Sequence, residues 1–318
     1  MKKLAIVGAT GLVGQEVLNV LGEEGLLDDF EPFLIVSEKS AGKSVMLNGN
    51  VCELLKLDES VISTGFDFAI FLTDEKISKV WIPEFVKKGV IVIDNSCAFR
   101  LEEDVPLVVP EINLGTIKQG DKLISNPNCS TIQLVIVLDR LNKLQRIKKV
   151  VVSSYQSVSG AGREALCDLR NNTRNVFGAG IQDNLIACIG GLGAGNNCSE
   201  ENKIIFESKK ILAQDFDIYA TTVRVPISYC HGESVYVEFD GEIDLQNVLK
   251  QLSCPHILLS QDLFYPKQCV GTNLTYVFRL RQVEKNALMF FVLADNLRRG
   301  AAYNAVKILK EINQKRNN

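Results

Sequence analysis

The chain is poor in the residues that build metal sites and disulfide frameworks. It has two histidines, His231 and His256, and no Cys-x-x-Cys among its nine cysteines. The nearest cysteine pair is Cys188 and Cys198. An odd number of scattered thiols argues against a disulfide scaffold and a zinc site, and fits a reducing cytoplasm. No apolar run approaches the ~18 residues of a membrane span. The longest, Ala287–Ala294, suits a buried strand. Lys2-Lys3 ahead of Leu4–Val7 does not make a secretory signal, because Gly8, Gly11 and Gly14 break the apolar run early. Positive charge is lacking too. The net charge is -3, so there is no field to attract nucleic acid or an anionic membrane. What is left is an ordinary globular composition over 318 residues, enough for two domains.

The first part of the chain alternates short apolar strands with amphipathic helices. Leu4–Val7, Phe33–Val36, Phe68–Leu72, Val90–Ile93 and Lys122–Ile124 read as strands, with helices over Leu12–Leu21 and Ile77–Lys88. That alternation predicts a doubly wound parallel sheet of Rossmann type. Its first turn is Gly8-Ala9-Thr10-Gly11-Leu12-Val13-Gly14. Glycines there let the backbone turn sharply and approach a pyrophosphate at the helix N-terminus. The same spacing also suits a tight turn with close glycine packing. At the end of the second strand, Ser37, Lys39 and Ser40 offer hydroxyls and a cation for a 2′-phosphate, while Glu38 is the acid an NAD site uses. The balance favours NADP.

Beyond Cys129 the pattern turns β-rich: Val150–Tyr155, Asp217–Val225, Ser234–Phe239, Tyr276–Leu280 and Ala287–Ala294, with helices over Glu164–Val176 and Leu245–Leu252. This predicts an α+β domain on a mostly antiparallel sheet. The expected division is a dinucleotide-binding domain over 1–128, completed by a closing helix in 299–318, and a catalytic and dimerisation domain over 129–298.

Asn126-Pro127-Asn128-Cys129-Ser130-Thr131 puts a thiol on a turn before a helical apolar run, Ile132, Val135, Leu138 and Leu141. A helix N-terminus favours thiolate, although a lone cysteine is as often core. Arg224 and His231 flank a strand end. The arginine can clamp a carboxylate and the histidine can serve as acid/base beside a cysteine; both residue types also occur as structural residues. Gln156, in the turn-prone Tyr155–Gly162 segment, can orient a carbonyl. Ser199-Glu200-Glu201-Asn202-Lys203 reads as a helix start with acids in its first turn, or as a carboxylate and lysine reading a charged substrate. Arg100 ends Asp94–Arg100 at the carboxyl side of the sheet, where ligands bind in such folds. His256 reads as exposed.

Taken in order, these segments resemble the aspartate-semialdehyde dehydrogenases along the whole chain. The matching stretches are Gly8–Gly14, Ser40–Lys43, Ile93–Arg100, Asp104–Asn113, Asn126–Thr131, Tyr155–Gly162, Arg224–His231 and Asp295–Ala302. The resemblance implies NADPH-dependent reduction of L-4-aspartyl phosphate to L-aspartate 4-semialdehyde, in lysine, threonine, methionine and diaminopimelate synthesis. It implies Cys129 as nucleophile, His231 as acid/base and Gln156 as orienting group. Arg224 would hold the α-carboxylate, Glu201 the amine, and Arg100, Asn128 and Lys203 the phosphate. Ser159, Gly160 and Asn296 would join Gly8, Thr10, Gly11, Leu12, Val13, Gly14, Ser37, Lys39 and Ser40 around the cofactor. Family members are homodimers or tetramers.

Two positions depart from the family pattern. Leu72-Thr73-Asp74-Glu75 replaces a usual Ser-Ala-Gly-Gly, and Lys39 replaces a common arginine, which implies altered cofactor binding. The alternatives are an N-acetyl-gamma-glutamyl-phosphate reductase, whose blocked amine would leave Glu201 without a partner, and a non-catalytic nucleotide-binding relative, which Asp74 and Glu75 alone suggest.

Overall fold

In a computed structural model, residues 1–47 and 49–317 are described, and Asn318 of the expected first domain lies outside them. The chain divides into two units, Met1–Pro127 with Ala301–Asn318, and Asn128–Gly300.

In the first unit the elements run β1 (Lys2–Val7), α1 (Leu12–Glu23), β2 (Phe30–Val36), β3 (Ser44–Leu47), β4 (Asn50–Lys56), α2 (Glu59–Ile62), β5 (Phe68–Phe71), α3 (Glu75–Lys87), β6 (Ile91–Asp94), α4 (Pro110–Asn113) and β7 (Leu123–Ser125). The strands form one sheet in the order β3-β4-β2-β1-β5-β6-β7. Every pairing is parallel except the β3–β4 hairpin. The central strands are apolar on both faces because each face is covered. Leu4, Ile6 and Ile70 pack with Val17 and Leu21 of α1 and with Val306 and Leu309 near the C-terminus. Ala5, Val7 and Phe71 pack with Ile82 and Phe85 of α3. This is the expected doubly wound sheet.

The second unit runs α5 (Cys129–Asn142), β8 (Ile147–Gln156), α6 (Arg163–Asn171), α7 (Ser199–Leu212), β9 (Asp217–Arg224), β10 (His231–Phe239), α8 (Leu245–Leu252), β11 (Ile257–Leu259), α9 (Pro266–Cys269), β12 (Thr275–Glu284) and β13 (Ala287–Ala294). The chain closes with α10 (Tyr303–Asn317), which belongs to the first unit. The second sheet has the order β11-β12-β13-β10-β8-β9. Pairings β12–β13, β13–β10 and β10–β8 are antiparallel; β8–β9 and β11–β12 are parallel. Helices α5, α7 and α8 pack on one another and on this sheet. Val151, Tyr155 and Tyr219 are exposed on its strands.

Three local expectations change. The helix expected to reach Val176 ends at Asn171, because Asn172 turns left-handed at φ 53°. Asp168 then gathers the following loop, accepting from the Thr173 hydroxyl and from the N–H groups of Asn175, Val176 and Phe177. The closing helix is preceded by a wide turn over Arg298–Ala302. His256 is half-buried, with its carbonyl tied to Thr275 N–H.

Candidate active site

The sheet of the second unit lines up three expected site residues in one row. Gln156 ends β8. Its register partner on β9 is Arg224, and its partner on β10 is His231. Directly paired residues of neighbouring strands project on the same face, so three residues far apart in sequence share one end of the sheet. All three are buried. Gly160 closes around them. A methyl group there would lie 3.0 Å from Arg224 Nη1 and 3.3 Å from His231 Nε2, so this position has room only for glycine while both side chains keep their places.

Each side chain in the row has its own restraint. Ser157 N–H donates to His231 Nδ1 at 3.0 Å, and Arg224 Nη1 donates to the Ser157 carbonyl at 2.6 Å. Because Nδ1 accepts, the proton of the neutral imidazole sits on Nε2, which is buried and without a partner among the described residues. Burial, together with the Arg224 charge, holds the His231 pKa down to about 3, so the ring is neutral at physiological pH. Burial also lowers the Arg224 pKa from its ordinary value, an effect opposed by the Glu200 carboxylate and by Cys129. Gln156 Nε2 donates to Ser154 Oγ at 3.3 Å.

Cys129 is the first residue of α5 and is half-buried. Asn128 caps that helix: its Oδ1 accepts from Ser130 N–H at 3.0 Å and Thr131 N–H at 3.3 Å. The cap leaves the thiol at the positive end of the helix dipole. Gly300 packs against it so closely that an added methyl would come 2.9 Å from Cys129 Cβ. Asn128 is held in turn by two acids of α7. Its Nδ2 donates to Glu200 Oε1 at 2.8 Å, and its N–H to Glu207 Oε2 at 2.7 Å.

The two neighbouring acids of α7 part company. Glu201 has both oxygens occupied by main chain, Oε2 by Cys198 N–H at 2.8 Å and Oε1 by Thr222 N–H at 3.0 Å. It is the reciprocal half of a capping box and does not join the cluster around Arg224. Glu200 does join it. Burial opposes its ionisation, but the Lys203 charge at 3.0 Å and the Asn128 amide together hold its carboxylate below the ordinary range. The sequence pattern singled out Glu201, which the structure does not bring to this cluster. The available signal was the three-residue spacing of Glu200 and Lys203, which stacks them on one helix face. Ser157 and Glu207 were missed for lack of any motif.

In the first unit, Gly8 has φ +90°, and a side chain there would strike the Leu72 carbonyl oxygen at 2.6 Å. A methyl on Gly14 would fall 2.4 Å from the Gly8 carbonyl oxygen. Gly11 caps α1 without a side-chain acceptor, so no side chain of the cap position competes for the N–H groups of Leu12 and Val13. A turn that admits no Cβ and ends in a helix N-terminus fits a pyrophosphate. Thr10 stands in this turn; Ser37, Lys39 and Ser40 follow β2. Glu38 there pairs with Lys56 at 2.8 Å. Arg100 is buried, with Nη2 donating to the Asn95 carbonyl at 2.8 Å. Ser159 and Asn296, in the second unit, are tied to each other, and Asn296 Oδ1 also accepts from Ser157 Oγ and Cys230 N–H. They brace the loop that holds His231. Among the described residues no cysteine forms a disulfide, and no helix is long and apolar enough to cross a membrane.

Residues 3–120 match the family described as semialdehyde dehydrogenase, NAD binding domain, and residues 138–299 match semialdehyde dehydrogenase, dimerisation domain. An aspartate-semialdehyde dehydrogenase of Rickettsia bellii is 39% identical over 97% of each chain, and one of Bacillus subtilis 38% over 98% of each. The chain belongs to the aspartate-semialdehyde dehydrogenase family. A crystal structure of aspartate semialdehyde dehydrogenase II from Vibrio cholerae superposes with a TM-score of 0.92, at 34% identity and 99% coverage of both chains. Family membership makes the cofactor class a nicotinamide dinucleotide.

Proposed function

We propose that this chain reduces L-4-aspartyl phosphate to L-aspartate 4-semialdehyde with NADPH, releasing phosphate. The observation that carries the reading is the Arg224–Gln156–His231 row in the unit whose helix α5 presents Cys129. A second structure of the Vibrio cholerae enzyme, described as complexed with ASA, matches with a TM-score of 0.91, which agrees with this substrate.

The substrate's α-carboxylate would meet Arg224, and its ammonium would meet Glu200 in place of the Glu201 expected from sequence. Lys203 and Asn128 are the groups the second unit offers to the phosphate. The Cys129 thiolate attacks the acyl carbon; the C–S bond forms, the C–O bond to phosphate breaks, and phosphate leaves. Gly8–Gly14 with Ser37, Lys39 and Ser40 would hold the nicotinamide cofactor, which would supply the hydride for reduction of the thioester. The tetrahedral oxygen that results meets the Nε2–H of His231, with Gln156 orienting it. Collapse breaks the C–S bond and returns the thiolate. A neutral imidazole suits this task, because its fixed tautomer donates where negative charge develops.

NADP is the preferred cofactor in this reading. Lys56 counters the Glu38 charge, which leaves Lys39 and two hydroxyls to a 2′-phosphate. The dimerisation-domain match and the exposed Val151, Tyr155 and Tyr219 support a homodimer. Nine cysteines without a disulfide support a reducing cytoplasm.

The test is direct. Purified protein given aspartate semialdehyde and phosphate should reduce NADP+ faster than NAD+, and Cys129→Ala should lose about 10⁴-fold or more of kcat. Absence of phosphate-dependent reduction ends the proposal. Faster turnover of the N-acetylglutamate semialdehyde would move the chain to the rival reductase, whose blocked amine offers Glu200 no ammonium.

A further inference from the structure

Glu233 is fully buried and has no part in the chemistry above. It stands two residues past His231 on β10, so its side chain leaves the same face of the sheet as the imidazole. Gln133 is also fully buried and stands four residues past Cys129 on α5, one turn along the same side of that helix. Helix α5 packs against β10. Gln133 Nε2 donates to the His231 carbonyl oxygen at 3.1 Å. Gln133 Oε1 and both oxygens of Glu233 have no partner of full hydrogen-bond geometry, and the Gln133 amide is the side chain that acts on the Glu233 carboxyl. Orphaned polar atoms in a dry core are costly, so their persistence behind two reacting groups calls for a reason.

We propose that Gln133 and Glu233 form a buried brace that positions His231 against the thiol of Cys129. The inference rests on the catalytic reading of Cys129 and His231. The brace links the helix that carries the thiol to the strand end that carries the imidazole. Burial pushes the Glu233 carboxyl well above the usual carboxylate range, which favours its protonated form. A carboxylic acid and a carboxamide complement each other: the acid O–H donates to the amide oxygen, and an amide N–H to the acid carbonyl. That pairing selects one flip of the Gln133 amide, the one that points Nε2 at the His231 carbonyl. The opposite flip would set two oxygens against each other. Gln133 and Glu233 are thus positioning residues and touch no substrate.

Three variants test the brace: Glu233→Leu, Glu233→Gln and the near-isosteric Gln133→Met. Glu233→Leu should lower kcat by about tenfold to a hundredfold, the cost of a displaced acid/base group. Its KM should stay within about twofold, since ground-state binding is untouched. Its melting temperature should fall by a few degrees, because the buried Gln133 amide loses the partner that the acid gave it. Glu233→Gln, which keeps a donor and an acceptor, should restore most of kcat. Gln133→Met should repeat the loss, and it stands in if Glu233→Leu fails to fold. Nitrogen NMR on histidine gives a readout without turnover. In a His256→Gln background the one remaining histidine is His231, and its ring signals should move in Glu233→Leu. Unchanged kcat with unchanged His231 signals overturns the brace, as does a loss that Glu233→Gln leaves unrestored. Failure of the catalytic reading looks different: the parent protein would show no phosphate-dependent turnover, while the His231 signals would still respond.

Discussion

The two units build their candidate sites from different material. The first uses main chain: at Gly8 and Gly14 the site is defined by the absence of a side chain, and any methyl meets a carbonyl oxygen. The second uses side chains, most of them buried and fixed by a neighbour, as Ser157 fixes both His231 and Arg224. A site of backbone tolerates changes around it but not an added carbon. A site of side chains tolerates small changes of volume but not the loss of a charge or a donor.

The largest effect should follow from putting a side chain where the first unit has none. Gly14→Ala places a methyl 2.4 Å from the Gly8 carbonyl and 2.6 Å from the Ala9 carbonyl, both main chain and unable to swing aside. We expect a loss of about 3 kcal/mol of stability, the upper range for overpacking, with weakened cofactor binding. Denaturant midpoints and NADPH fluorescence titration measure the two. If Gly14→Ala kept both, the first site would not be a backbone site.

Glu200 and Glu201 sharpen the contrast inside the second unit. Glu200→Gln removes a charge from the Arg224 cluster but keeps an oxygen for Asn128. We expect kcat/KM to fall by about tenfold to a hundredfold, the worth of a charge-assisted hydrogen bond, with little change in stability. Glu201→Gln has a single acceptor for two buried N–H donors. It should cost about 1–3 kcal/mol of stability and leave KM for the semialdehyde in place. Chemical denaturation beside steady-state kinetics separates the two, and an exchange of their phenotypes would return the ammonium role to Glu201.

Much of the fold was legible because its signals are local. Glycine bounds the apolar strand Leu4–Val7, and β13 is a bare apolar run. The β3–β4 hairpin escaped because its strands are short and their large apolar residues face water, as Met46 and Val51 do. The row of Gln156, Arg224 and His231 was not legible at all. It depends on the register of three strands, which no local pattern specifies. The choice between Glu200 and Glu201 was not legible for a related reason. Adjacent residues differ by about 100° around a helix, so the phase of α7 decides which acid faces Arg224. That phase follows from the cap at Cys198, and a cysteine in the cap position hides the usual signature.

The smallest effect concerns the acids that replace a usual Ser-Ala-Gly-Gly. Asp74 caps α3, its Oδ1 accepting from Ile77 N–H at 3.0 Å, and Glu75 pairs with Lys79 at 2.6 Å one turn on. Both are exposed; the Asp74 cap lies within the helix it begins, and Glu75 also accepts from the Cys97 thiol at 3.4 Å. On that geometry the substitution serves the helix end. Asp74→Ala should therefore cost about 1 kcal/mol of stability, as other lost N-caps do. KM for NADPH should stay within about twofold of the parent, because a capping oxygen turned toward its own helix has nothing to offer a nucleotide. A clear gain in NADPH affinity without loss of stability would reverse the argument: Asp74 would then be acting on the cofactor by charge, and the first unit's site would no longer be one of backbone alone.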